Sequence, residues 1–347
     1  MSAASELRAA AAKRILIKDG AYGTLIQGEG LTEGDFRGDL QLNHDQRGNN
    51  DLLNLTRPDV VRKIAQSFVA SGADILATNT FNANRISQAD YGAESLVPDI
   101  NREAARIIRR VADEARAKNG RLWVAGAIGP TNKTLSLSPD VNDPGYREVT
   151  FEEVKSVYRE QIDALVEGGV DFVLIETVFD TLNCKSAIMA ALEAQAALGR
   201  ELPIMISMTL TDLSGRNLSG HTVEGFWATV RHAKPLTIGL NCSFGAAQLR
   251  PHLAALAQKA DALVMAYPNA GLPNELGCYD EAAEETAAQV REWLDDGLVN
   301  IVGGCCGTTP AHIAAIASAS EGARPRAIPA RTHNTLLSGL EPMVIAA

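Results

Sequence analysis

Three cysteines carry the sharpest chemical signal in the sequence. Cys242 stands in LNCSFG (240–245), and Cys305 and Cys306 are adjacent in GGCCGTTP (303–310). Adjacent cysteines rarely bridge each other, because a vicinal disulfide strains the intervening peptide. Three thiolates converging on Zn²⁺ would leave the fourth tetrahedral position open, the layout of a catalytic rather than a structural metal. Sulfur donors also favour zinc over magnesium or calcium. The competing reading is three small buried hydrophobes, since free cysteine is among the most buried residue types. Cys184 (in TLNCKSAI) and Cys278 (in ELGCYD) read as spectator thiols, and the 6 histidines form no HExxH or paired pattern. Three thiolates and Zn²⁺ sum to a single negative charge, so the metal would be a weak Lewis acid, poorly suited to activating water. It would hold a substrate thiol as thiolate, whereas a free thiol with pKa about 8.5 is only a few per cent ionised at neutral pH. The chemistry expected is alkyl transfer to a thiol.

For the three sulfurs to meet, the segments that carry them must end side by side. Eight short apolar runs recur: 15–19, 74–79, 123–129, 171–177, 204–210, 237–242, 262–269 and 300–306. Each is rich in Val, Ile and Leu without strict alternation, as parallel strands buried on both faces require. Helical periodicity lies between them, as in 57–72 and 152–169, with Pro58 near the start of the first and Gly at the end of both. Strand–helix alternation repeated eight times predicts an α/β fold, a single-domain (β/α)8 TIM barrel. A doubly wound sheet is the alternative, but the first strand runs into DGAYGT (19–24), not a G-x-G-x-x-G phosphate loop. In a barrel the sixth and eighth strands are separated by one strand. The strand ends then gather Asp19, Asn79, Thr80, Glu176, Asn241, Cys242, Asn269, Cys305 and Cys306 at one rim. Singly, each reads as a cap or a buried hydrogen-bonding group. Two long connections, 20–56 and 130–150, lie at that rim, where barrel enzymes keep active-site loops.

Composition narrows the class. The chain has 347 residues, 46% of them hydrophobic, and a charge of 32 − 42 = −10, which argues against nucleic acid or an anionic membrane as partner. No run of 18 apolar residues is present. Residues 1–14 carry Glu6, Arg8, Lys13 and Arg14 in place of an apolar signal core and read as a leading helix. The 5 cysteines, odd in number and without a signal, point to the cytoplasm. The expected organisation is that helix, a barrel over 15–321, and a strap or linker over 322–347 that loses periodicity.

The segments ILIKDGAYGTLIQ, FRGD, GNNDLLNLTRPDVV, TNTFNANRI, GPTNKTLSLSPDVNDP, LNCSFG, PNAGLPN and NIVGGCCGTTP make the chain resemble the homocysteine S-methyltransferase family over roughly 13–340. GPTNKTLSLSPDVNDP and GNNDLL point to the homocysteine-binding module of the cobalamin-dependent methionine synthase branch. The resemblance implies zinc on Cys242, Cys305 and Cys306 and L-homocysteine as substrate. It implies that Asp19 and Glu176 meet the substrate ammonium, which a bare carboxylate at that rim would also do. The amides of Gly20 and Ala21 would then meet the substrate carboxylate, and Asn269 would fill the open zinc position when substrate is absent. It further implies that the zinc-bound thiolate attacks the methyl group of methylcob(III)alamin, giving methionine and cob(I)alamin. No D-x-H-x-x-G cobalamin signature occurs, so the methylcobalamin would come on a partner module or subunit, with the folate-binding module on the same partner. Tyr22 stands where the family usually has Met. The alternatives are a homocysteine methyltransferase using a sulfonium or betaine donor, a homocysteine-binding subunit inactive without its partner, and a vicinal-dithiol redox protein. The last is weak, since CC is not a C-x-x-C motif.

Overall fold

The computed structural model describes residues 2–275, 277–331 and 334–345. Eight parallel strands form one sheet: β1 (Leu16–Ile17), β2 (Ile75–Ala77), β3 (Trp123–Ile128), β4 (Phe172–Val178), β5 (Ile204–Met208), β6 (Thr237–Asn241), β7 (Leu263–Tyr267) and β8 (Ile301–Val302). Neighbours run β1-β8-β7-β6-β5-β4-β3-β2. The ring closes between β1 and β2 through a parallel bridge at Lys18 and Ile75, where the Asp19 amide donates to the Ile75 carbonyl at 3.0 Å. This is the (β/α)8 barrel expected from the alternation.

Two cores explain why the strands read as continuous apolar runs. Leu16, Ile75, Trp123, Phe172, Leu174, Met265 and Ile301 point into the barrel, while Ile17, Leu76, Val124, Val173 and Ile175 face the surrounding helices. The period of two along β4 makes Glu176 the next inward residue after Leu174. Helix Ala3–Ala11 packs Ala4, Leu7 and Ala11 onto the inward cluster, each with no exposed surface. The helices read from sequence are present as Pro58–Ala70 and Phe151–Gly168. The second opens with a capping box between Thr150 and Glu153 and ends at Gly169 in the left-handed region, φ +101°, where glycine carries no Cβ penalty.

The connection 20–56 holds the short helices Tyr22–Gly28 and Glu33–Arg37, and 130–150 has no regular element. Within 322–347, of which 332, 333, 346 and 347 lie outside the described residues, Arg326 is buried. Its guanidinium donates to the carbonyls of Ala257, Ala260 and Ala262, at the end of helix Ala246–Lys259. The tail, expected as a strap or linker, then forms an antiparallel hairpin of β9 (Thr335–Leu337) and β10 (Met343–Ile345). The Leu340 carbonyl accepts from the Thr222 amide at 2.9 Å, which ties the hairpin to the loop after β5. Among the described residues no helix is long and apolar enough to cross a membrane.

Candidate active site

The sulfurs of Cys242, Cys305 and Cys306 all lie within 4.8 Å of one another, and Cys242 Sγ is 3.8 Å from Cys306 Sγ. A tetrahedral zinc with Zn–S bonds of about 2.3 Å sets sulfurs about 3.8 Å apart, so the donor set fits such an ion. The turn after β6 produces this convergence. Cys242 and Ser243 both adopt left-handed backbone, φ +60° and +64°, which costs non-glycine residues about 1–2 kcal/mol each. Ser243 Oγ holds the turn, donating to the Leu210 carbonyl at 2.5 Å and accepting from the Leu210 amide at 2.8 Å. On the other side Gly307, φ +79°, turns the chain away after Cys306. The cluster favours one thiolate in the absence of metal. Hydrogen bonds from Cys305 and Cys306 pull Cys242 far below the usual thiol range, and those two thiols are pushed up in return. Cys184 is buried and Cys278 exposed, neither in the cluster.

The floor beside the sulfurs is charged. Asp19 is fully buried; its Oδ1 accepts from Lys18 Nζ at 2.9 Å and its Oδ2 from the Ala77 amide at 2.8 Å. It is therefore no bare rim carboxylate. Lys18 Nζ also lies 4.6 Å from the centre of the Tyr267 ring, a cation–π distance. The Tyr267 hydroxyl donates to Glu176 Oε2 at 2.9 Å, and Glu176 is half-buried. No protein donor meets Glu176 Oε1 among the described residues. Burial raises the Glu176 carboxyl above its ordinary pKa, against the pull of Lys18 and the Tyr267 hydroxyl.

Gly20 and Ala21 follow Asp19 at the start of helix Tyr22–Gly28. A Cβ at Gly20 would sit 2.8 Å from Phe68 Cε1 and 3.0 Å from Thr308 Oγ1, so only glycine lets the chain pass there. Asn269 is buried beside Cys242, to which its side chain donates, and its Oδ1 is buried without a partner. An orphaned buried amide oxygen is costly, and a metal in the sulfur cluster is a natural acceptor for it.

Lys18, Asn241 and Tyr279 complete the site beyond the residues singled out as ligands or substrate contacts. Asn241 is fully buried; its Oδ1 accepts from the Thr177 amide (3.1 Å) and Ser207 Oγ (2.6 Å). Its Nδ2 donates to Thr177 Oγ1 (2.9 Å) and reaches Cys305 Sγ at 3.8 Å. It thereby clamps Thr177, held at φ +58° in the irregularity of β4 next to Glu176. Tyr279 hydrogen-bonds Cys306 from the loop after β7. A lone Lys in an apolar strand was the available signal for Lys18; Tyr279 lies in an aperiodic loop and had none.

Comparison with known proteins agrees with this geometry. The homocysteine S-methyltransferase family pattern matches residues 16–320. The fold is similar to that of the homocysteine methyltransferase MmuM from Escherichia coli. Its metallated form superposes with a TM-score of 0.68 at 22% identity, over 88% of this chain and 96% of that one. The oxidized form gives 0.68 at 22% over 88% and 95%, and the apo form 0.64 at 21% over 89% and 97%. With a pattern that spans most of its length, the chain belongs to the homocysteine S-methyltransferase family and is a methyltransferase.

Proposed function

We propose that Cys242, Cys305 and Cys306 hold a zinc ion and that L-homocysteine binds there through its sulfur. The homocysteine thiolate then takes a methyl group from methylcobalamin carried by a partner module or subunit, giving methionine. When bound, zinc supplies an ionised sulfur at neutral pH, which a free thiol provides only in part. The observation that carries the reading is the three-sulfur cluster, its atoms within 4.8 Å of one another, with no fourth protein sulfur among the described residues. The chain's own residues do the rest. Glu176 Oε1 faces the site ready for an ammonium, the Gly20 and Ala21 amides stand ready for a carboxylate, and Asn269 Oδ1 serves as the resting fourth ligand. In the transfer the methyl carbon bonds to sulfur, and the electron pair of its former bond stays with the corrinoid.

The rim supports a large donor. Val141 is 94% exposed, Leu213 72% and Leu272 50%, with Phe81, Leu137, Tyr146 and Leu218 also exposed. These lie on the loops after β2, β3, β5 and β7, the same end as the sulfurs. A broad apolar collar suits a macromolecular face, whereas a small sulfonium or betaine calls for an enclosed aromatic or anionic cage.

Metal analysis with X-ray absorption at the zinc edge tests the reading. One zinc with three sulfur neighbours, rising to four on adding homocysteine, is expected, and Cys305→Ala is expected to abolish methylation from methylcobalamin. Zinc content of zero, or a sulfur count that ignores homocysteine, would refute it. Running wild type with a sulfonium, a betaine and methylcobalamin separately identifies the donor, and turnover that appears only with a cobalamin-carrying protein marks a partner-dependent subunit.

A further inference from the structure

Apart from one another, the three sulfurs each have a side-chain donor, and the donors are held differently. Asn241 reaches Cys305 from the end of β6, and Asn269 donates to Cys242 from just past β7; both are buried amides. Cys306 takes its hydrogen bond from the Tyr279 hydroxyl, which also lies within electrostatic reach of Cys242 and Cys305. Tyr279 comes from the exposed loop after β7, yet it is fixed on both sides. Just before it, the Asn274 amide donates to the Cys278 carbonyl at 2.8 Å and the Cys278 amide to Asn274 Oδ1 at 3.0 Å. Just after it, Glu281 accepts from Thr286 Oγ1 (2.6 Å), from Gln289 Nε2 (3.1 Å) and, at its carbonyl, from His312 Nε2 (3.0 Å). Tyr279 itself lies against the backbone next to Cys306, where a Cβ at Gly307 would overlap its Cβ and Cγ. We propose that Tyr279 is a positioning residue that holds Cys306 as a metal ligand and takes up part of the negative charge a substrate thiolate adds to the cluster. This rests on the reading that the three cysteines hold a zinc ion that binds a thiol.

Charge balance gives the donor its role. Three thiolates and Zn²⁺ sum to −1 with a neutral fourth ligand and to −2 once a thiolate joins them. A hydrogen bond strengthens with the charge on its acceptor, so a donor on Cys306 stabilises the thiolate-bound cluster more than the resting one. A hydroxyl is suited to this, because at neutral pH a phenol keeps its proton to donate. The difference between a hydrogen bond to a charged acceptor and one to a less charged acceptor is worth about three- to tenfold in a binding constant. A Tyr279 that only packs the loop against Gly307 predicts otherwise: its hydroxyl would matter equally to every ligand of the site.

The experiment compares L-homocysteine with L-methionine, which carries the same ammonium and carboxylate but a sulfur that stays neutral. Calorimetry on zinc-loaded protein gives the dissociation constant of homocysteine, and competition against homocysteine gives that of methionine. The ratio of methionine to homocysteine dissociation constants measures the share of affinity due to the ionised sulfur. Tyr279→Phe removes the hydroxyl and keeps the ring over Gly307. It is expected to lower that ratio about three- to tenfold through weaker homocysteine binding, with methionine affinity unchanged. Metal analysis and X-ray absorption should still find one zinc per chain in the variant, with four sulfur neighbours when homocysteine is bound. An unchanged ratio in Tyr279→Phe overturns the proposal, whether both affinities hold or both fall together. A wild type that holds no zinc, or binds homocysteine no better than methionine, would sink the zinc–thiolate reading itself, an outcome distinct from an unchanged ratio in the variant.

Discussion

Asn241→Ala probes the link between the sulfur cluster and the carboxylate floor. The substitution leaves the Thr177 amide and the Ser207 hydroxyl without their acceptor and Thr177 Oγ1 and Cys305 Sγ without their donor. Each orphaned buried donor costs about 1–3 kcal/mol. Part returns, because Thr177 is released from its left-handed backbone, worth about 1–2 kcal/mol. The net loss is about 2–4 kcal/mol, or roughly 3–6 °C in Tm for a chain of this size. That much a purely structural residue would also show. The distinguishing result is functional: removing a hydrogen bond to a metal ligand typically costs about 10–100-fold in metal affinity, and Thr177 carries Glu176 with it when it relaxes. Zinc affinity by chelator competition and homocysteine affinity by calorimetry are both expected to fall about tenfold or more. A lowered Tm with both affinities intact would refute the clamp.

The remaining predictions concern pH and stability. Because burial holds the Glu176 carboxyl above the ordinary carboxylate range, the preference for homocysteine over its des-amino analogue falls as pH drops through that raised pKa; calorimetry should show no such fall in Glu176→Gln. Asp51 is buried and its carboxyl is raised from 3.8 to about 7 by desolvation. The folded state thus binds that proton more tightly than the unfolded one, and stability is lost as pH rises from about 4 to about 7. Asp51→Asn, which keeps an acceptor for the Asn82 amide, should stabilise the protein at pH 8 by a few kcal/mol and flatten the pH dependence in urea unfolding. Arg326→Met leaves the Ala257, Ala260 and Ala262 carbonyls without their donor. A loss of about 3 kcal/mol and faster proteolysis within 322–345 should follow.

The barrel was legible because burial on both faces writes itself as apolar runs, and eight of them alternate with helical periods. The ends of those runs were less so. NIVGGCC read as one strand over 300–306, yet β8 stops at Val302. A Cβ at Gly303 would stand 2.8 Å from the Lys18 carbonyl, so the backbone there packs close against the end of β1, while Gly303 and Cys305 still donate to the Ala266 and Pro268 carbonyls at 3.1 and 2.8 Å. The cysteine spacing was legible because chemistry limits what three such residues can do at neighbouring strand ends. The Lys18–Asp19 pair was not. Adjacent residues in a strand point to opposite faces, and these two meet only because β1 ends at Ile17. Thr177 was equally hidden, since a β-branched residue in the middle of an apolar run reads as extended.

What the fold makes rigid and what it leaves free follow from where each segment is tied. The loop after β5 is bound to the turn at Cys242 through Thr209 Oγ1 and Ser243 Oγ, 2.6 Å apart, and to the tail through Leu340. Moving it would drag Cys242. The connection after β3 is tied differently. Leu135 and Ser136 donate to the Asp180 carboxylate, and Arg147 closes the base by donating to the carbonyls of Leu135 (2.7 Å) and Ser136 (3.0 Å). Between those anchors 137–146 is largely exposed and carries Leu137, Val141 and Tyr146 of the apolar collar. A closed base with an exposed apex is the form of an Ω-loop, and such a loop shifts without disturbing the residues at its base. If the donor is the corrinoid proposed above, 137–146 is the stretch expected to give way to it, since its anchors at Leu135, Ser136 and Arg147 involve no cysteine, Glu176 or Asn241.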